Sequence, residues 1–139
     1  MKATILYRGG MHFEGETGSG HKIHFDSKPK GEVTEGPSPM EAVLQAGAVC
    51  CAMDVVAILN KRRKTIERFE IEVAGERSAE HPKVFKNIDV KFCFWGKDLT
   101  QDEVEKATQL SNEKYCSVLN MLKPTVKITC GVEVNKVTT

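Results

Sequence analysis

Ser38-Pro39-Met40-Glu41 opens, and Lys61-Arg62-Arg63-Lys64 closes, the stretch whose reading decides the fold. A serine that can cap, a proline at the first helical position and a glutamate three residues after the cap make a capping box, so a helix begins here. From Ala42 to Leu59 the only strongly polar residues are Gln45 and Asp54. A run this apolar, with no polar face, is either a membrane span or a helix covered on every side. Asp54, Gln45 and the capping box favour the covered helix over the membrane. The closing cations stand where the helix dipole favours positive charge.

To the N-terminal side the chain reads as a three-stranded meander over about residues 2–26. Ile5 and Tyr7 alternate with small or polar neighbours, and Arg8-Gly9-Gly10 supplies a turn. Met11 and Phe13 resume the alternation, and Thr17-Gly18-Ser19-Gly20 turns the chain into a strand carrying Ile23 and Phe25. These period-two runs between Gly-rich turns are strand signals. Ser27 to Gly36 is a polar loop. The central helix is expected over about 39–63, followed by strands over about 67–95, with Gly75 to Pro82 as a charged turn. Phe69, Ile71 and Val73 mark the first of these strands, and Ile88, Val90, Phe92 and Phe94 share one face of the second.

Thr100-Gln101-Asp102-Glu103 is a second capping box. It opens a helical region over about 101–122 with Val104, Ala107, Leu110 and Ser111 inward, and Pro124 stops it. A last strand over about 125–136 alternates through Val126, Ile128, Cys130, Val132 and Val134. The whole of 1–139 is expected to be one α+β domain. So few strands cannot wrap an apolar helix completely, and a second subunit is expected to supply the missing cover.

The 139 residues are 40% hydrophobic and 28% charged, with a net charge of +1. That is ordinary globular composition. It carries no basic excess for nucleic acid and no acidic tail. The first residues lack the apolar core and cleavage site of a secretory signal, so a cytoplasmic protein with reduced cysteines is expected. Five cysteines, an odd number with no C-x-x-C pair, favour neither a disulfide framework nor a zinc site. His12, His21, His24 and His81 show no ligand spacing, and neither a metal nor another cofactor is expected.

Strand phase assigns Cys130 to core packing, and sends Cys93 to the opposite face with no assigned role. Cys50 and Cys51 lie midway along the apolar helix, and Cys116 follows Lys114-Tyr115 where a helix could restart. Packing is a sufficient reason for any one of them. At a helix start beside Lys114, however, the Cys116 thiolate would be favoured. Asp54 reads as a hydrogen-bond acceptor in the core. Glu41 is explained by its capping role. A straight helix rises about 14–15 Å over nine or ten residues. Glu41 therefore cannot reach a cysteine of its own helix, and would polarise one only across a dimer or through a break near Gly47.

Three blocks now carry a resemblance. Ala46-Gly47-Ala48-Val49-Cys50-Cys51-Ala52-Met53-Asp54-Val55-Val56, after Met40-Glu41, is similar to the central-helix signature of the OsmC/Ohr family. Glu80-His81-Pro82-Lys83-Val84-Phe85 and Leu110-Ser111-Asn112-Glu113-Lys114-Tyr115-Cys116-Ser117-Val118 resemble later blocks of one of its subgroups. The resemblance spans essentially the whole chain. It implies an α+β, OsmC-like fold with antiparallel sheets around central helices in an intertwined homodimer. It also implies thiol-dependent reduction of organic hydroperoxides in oxidative stress defence. One cysteine attacks the hydroperoxide, a second resolves the sulfenic acid as a disulfide, and an external dithiol restores both.

The implied site comprises Cys50, Cys51, Cys116 and Glu41. Cys50 fits the C-x-A-M-D-V-V pattern, whereas Cys51 has the spacing from Glu41 found in the hydroperoxide-reducing branches, so both registers stay open. Those branches also carry a hairpin arginine that holds the thiolate. Here Met11 stands near that place, and Arg8 is out of register. A redox sensor or a binder of small apolar ligands on the same dimer is therefore the alternative to an enzyme.

Overall fold

The computed structural model describes residues 1–137; the last two residues of the expected domain lie outside the described residues. The elements run β1 Ala3–Gly9, β2 His12–Thr17, β3 Lys22–Phe25, α1 Pro39–Lys61, β4 Arg68–Arg77, β5 Phe85–Trp95, α2 Gln101–Leu110, α3 Ser117–Leu122 and β6 Lys127–Asn135. A π-helical turn, Ser111–Tyr115, joins α2 to α3. Two compact units divide the chain, one of residues 1–43 and one from Leu44 onward.

The first unit is an antiparallel sheet in the order β1-β2-β3. Gly9 and Gly10 turn β1 into β2 at positive φ, where a side chain would be strained. Cross-strand pairing of Tyr7 with Phe13, Phe13 with Phe25 and Gly15 with Ile23 gathers the apolar side chains on one face. That face is open: Ile5 is 63% and Tyr7 65% exposed. The other face is ionic. Glu14 accepts from Arg8 and Lys22, each at 3.0 Å, and His24 Nε2 lies 3.7 Å away.

Lys22 first, then Arg8, hold the Glu14 carboxyl down from its usual 4.5 to about 2. A carboxylate with a depressed folded-state pKa stabilises above the unfolded value, and loses that contribution as pH falls through the folded one. The Glu14 contribution is therefore complete above pH 4.5 and lost progressively down to about pH 2. Acid unfolding of Glu14→Gln should lack this limb, and the Glu14 carboxyl resonance should titrate near pH 2 in the wild type.

In the second unit the sheet order is β4-β5-β6. Central β5 carries the core, with Phe92 and Phe94 fully buried and the Phe69 ring stacked on Phe94 at 3.9 Å. Cys93, out of phase with them, is buried as well. The expectation of antiparallel sheets holds for β1–β2–β3 and β4–β5, but β6 runs parallel to β5. The reason is the connection: α2, the π turn and α3 carry the chain back to the starting end, as a parallel return requires. Gln101 fixes α2 to β6 by donating to Val132 O at 2.7 Å and accepting from Val134 N at 3.0 Å. The expected charged turn at 75–82 begins later, because β4 continues to Arg77.

The capping box at the start of α1 forms as read: Glu41 accepts from Ser38 N at 2.7 Å and Ser38 Oγ at 2.8 Å. All-round burial of α1 does not occur within one chain. Only Gly47, Ala48, Cys51, Ala52, Val55 and Leu59 are buried, and by length and composition the helix could cross a membrane. Val49 and Met53 remain 49% and 69% exposed. Within the second unit the helix has only the β4–β6 sheet and the α2–α3 return for cover.

Candidate thiol site

Close approach between helices builds the site. A Cβ on Gly47 would stand 3.0 Å from the Leu119 Cδ2 atom, so the glycine lets α3 lie directly against α1. Leu119 is fully buried at this crossing. The π turn brings the chain there: its widened turn closes with Cys116 N donating to Ser111 O at 2.8 Å, and α3 starts immediately afterwards. Single π turns inside helical stretches often mark functional positions.

Cys116 is fully buried and its thiol points at Gly47 O, 3.9 Å away. Gly47 stands one helical turn from Cys50, whose thiol acts electrostatically on that of Cys116. Burial pushes the Cys116 thiol up to about 12, and the neighbouring Cys50 pushes in the same direction. The expected activation by Lys114 fails, because that side chain is exposed and lies over the Tyr115 ring at 5.7 Å. Desolvation outweighs whatever a short helix start offers a thiolate.

Adjacent positions on a helix point about 100° apart, and the two candidate cysteines have different surroundings. Cys50 is half-buried and faces Cys116. Cys51 is fully buried, and Cys130 is the thiol that acts on it most strongly. Hydrogen bonding to Cys130, then burial, raises the Cys51 thiol strongly, while the same bond lowers Cys130. Cys130, assigned by strand phase to packing, therefore belongs to the cluster. Its position on an apolar stripe gave no sign of this, since strand alternation does not say what packs against β6.

Buried Ser111 ties the π turn to α1 by donating to Asp54 Oδ2 at 2.8 Å and Cys51 O at 3.3 Å. Asp54 thus serves as an acceptor, as expected for a carboxylate in this run. Glu41 belongs to the first unit, with its carboxylate engaged by Ser38. Arg8 likewise pairs with Glu14. His12 Nε2 and His24 Nδ1 meet at 2.9 Å within the first sheet.

An open apolar hollow of about 400 Å³ runs along the exposed side of α1, lined by Val49, Ala52, Met53, Val56, Phe69 and Ile71 among others. Cys50 does not line this hollow; of its residues Met53, three positions on from Cys50, lies toward the cysteine's side of the helix.

Fold and site together define the class: an α+β protein in which a helical return bearing a buried cysteine crosses a central apolar helix bearing two more. The family described as "OsmC-like protein" matches residues 30–131, and the chain belongs to the OsmC/Ohr family. "Protein YhfA" of Escherichia coli is 42% identical over 134 residues, covering 96% of this chain and 98% of that protein. The crystal structure of a hypothetical protein from Aquifex aeolicus is 29% identical with a TM-score of 0.87, covering 99% of this chain and 97% of its own. An organic hydroperoxide resistance protein OsmC from Legionella pneumophila has the same fold at 22% identity and a TM-score of 0.67, covering 96% of each chain.

Proposed function

We propose that the protein is a soluble, cytoplasmic homodimer that reduces organic hydroperoxides with Cys50 and Cys116, as part of defence against peroxide stress. The observation that carries this reading is the Cys116 thiol 3.9 Å from Gly47 O, one helical turn from Cys50 on α1, although the residues are far apart in sequence. Membership of a family that includes an organic hydroperoxide resistance protein supports it. Cys50 attacks because it is the less buried of the pair, and the apolar hollow around Met53, three residues on, suits an organic peroxide tail.

Its thiolate takes the distal oxygen of the hydroperoxide, the O–O bond breaks, and the alkoxide leaves with a proton as an alcohol. The resulting Cys50 sulfenic acid condenses with the Cys116 thiol, forming the disulfide and expelling water. An external dithiol then reduces the disulfide by two successive exchanges. A resolving thiol held protonated by burial does not compete for the peroxide, which fits the high pKa of Cys116. The dimer is supported by two uncovered apolar surfaces, the β1–β3 sheet face and the Val49–Met53 side of α1. Glu41 has its part only across such a dimer.

The test is peptide mass spectrometry of the reduced protein after one equivalent of cumene hydroperoxide. A Cys50–Cys116 disulfide is expected, with cumyl alcohol released in equal amount. Oxidation elsewhere, or none, sinks the proposal. Engagement of Arg8 by Glu14 favours a second reading, a redox sensor. It predicts the same disulfide but no sustained turnover with a dithiol.

A further inference from the structure

Ser111 is fully buried where α2 passes into the π turn, and it is bonded in two directions. Its backbone carbonyl accepts from Cys116 N at 2.8 Å. Its hydroxyl reaches α1, 2.8 Å from Asp54 Oδ2 and 3.3 Å from Cys51 O. A hydroxyl has one proton to give, so the nearer, charged Asp54 takes the main bond and Cys51 O the weaker one. Cys116 is held from its other side as well, since its carbonyl accepts from Asn120 N at 3.1 Å and Asn120 Nδ2 at 2.8 Å. Gly47, Cys50 and Asp54 follow one another at helical spacing along one face of α1. Cys116 meets that face at Gly47 and Ser111 meets it at Asp54, one turn before Cys50 and one turn after it. Among the described residues, the Ser111 hydroxyl and the Cys116 thiol make the hydrogen bonds that join the return to α1.

We infer that Ser111, anchored on Asp54, is the positioning residue of the resolving thiol: it holds the Cys116 backbone at the Gly47–Cys50 turn of α1 before the disulfide forms. The inference rests on the Cys50–Cys116 chemistry proposed above and adds what prepares it. Ser111 touches neither reacting sulfur and acts through the Cys116 amide. Its contribution is preorganisation. A return already tied to α1 has little freedom left to lose when the S–S bond closes, whereas an untied one must give that freedom up in the same step. The Ser111–Asp54 bond and the disulfide order the same segment, so each strengthens the other by the same factor. Asp54 is only half-buried, so water can reach its carboxylate when the serine hydroxyl is removed. Loss of the bond therefore frees the return without stranding a buried charge.

The test is the equilibrium of the reduced protein with a dithiothreitol redox buffer, quenched with acid and read by peptide mapping. Oxidised dithiothreitol takes up the two protons and two electrons that Cys50 and Cys116 release and becomes the dithiol, so no peroxide is involved. Ser111→Ala should lower the equilibrium constant for the Cys50–Cys116 disulfide about ten-fold, the low end of what a hydrogen bond to a charged group contributes. Asp54→Ala should lower it less, because the hydroxyl keeps Cys51 O as a partner. Asp54→Asn, which retains an acceptor oxygen, should restore most of the wild-type constant. Ile88→Ala, in the buried core of β5, should lower thermal stability and leave the constant unchanged, which separates positioning from general weakening of the fold. A wild type that never closes this disulfide overturns the thiol reading and the inference with it. Closure in the wild type with an equal constant in Ser111→Ala overturns the inference alone. So does a constant for Ile88→Ala that falls as far as that of Ser111→Ala.

Discussion

Cys50→Ser is expected to lower dithiol-supported consumption of cumene hydroperoxide by at least about a thousand-fold, the scale on which removal of a nucleophile acts. A serine hydroxyl is not ionised at neutral pH and has no lone pair soft enough to open an O–O bond. Cys116→Ser should behave differently. Its first chemical step is intact, so the variant should consume one equivalent of peroxide and then stall as a sulfenic acid that dimedone traps. Cys51→Ser should keep most of the turnover, because its thiol faces Cys130. If instead Cys51→Ser is the inert variant, the attacking position is one residue further along the helix and the site is wrongly drawn. Peroxide loss and trapped adduct, measured on all three, separate these outcomes.

Leu119→Ala carries the second large effect, an expected loss of about 2–5 kcal/mol in stability. Leu119 is fully buried, and its methyl group fills the notch left by Gly47. Truncation would leave a cavity where α3 crosses α1, since neither helix can close the gap without leaving its own packing. Urea unfolding at fixed protein concentration measures the loss. The same substitution loosens the element that holds Cys116, so closure of the Cys50–Cys116 disulfide should slow even under conditions where the variant is fully folded. A variant that loses stability but closes the disulfide at the wild-type rate would show that α3 does not set the thiol geometry.

Local chemistry made much of this architecture readable in advance. Ser38 with Glu41 and Thr100 with Glu103 announce two helices, because a cap is a contact between residues three apart. Alternation marks β1 to β6 for the same reason of short range. The direction of β6 was not readable that way, since alternation is identical for a parallel and an antiparallel neighbour. Nor was the π turn, because Ser111–Tyr115 keeps a helical composition while shifting the phase of α3 relative to α2.

The site was half legible. The family resemblance marked Cys50, Cys51 and Cys116, but a one-residue choice on a helix is a choice of direction, and direction is decided by what packs there. Gly47, an inconspicuous small residue in an alanine-rich run, turns out to admit the helix that carries Cys116. Cys130 was hidden by its own regularity: on an amphipathic strand a thiol and a valine satisfy the same pattern.

The parallel pairing of β5 with β6 has a consequence for how the molecule is made. β5 is the most apolar strand of its sheet, and one of its edges waits for residues 127–135, which leave the ribosome after the other two strands of that sheet. Until then the nascent chain displays a long open ladder of unpaired amides and carbonyls, the kind of template on which neighbouring chains join. β6 is thus the closing clasp of the sheet. A message truncated before it would yield aggregate, even with every residue of the Cys50–Cys116 pair already in place.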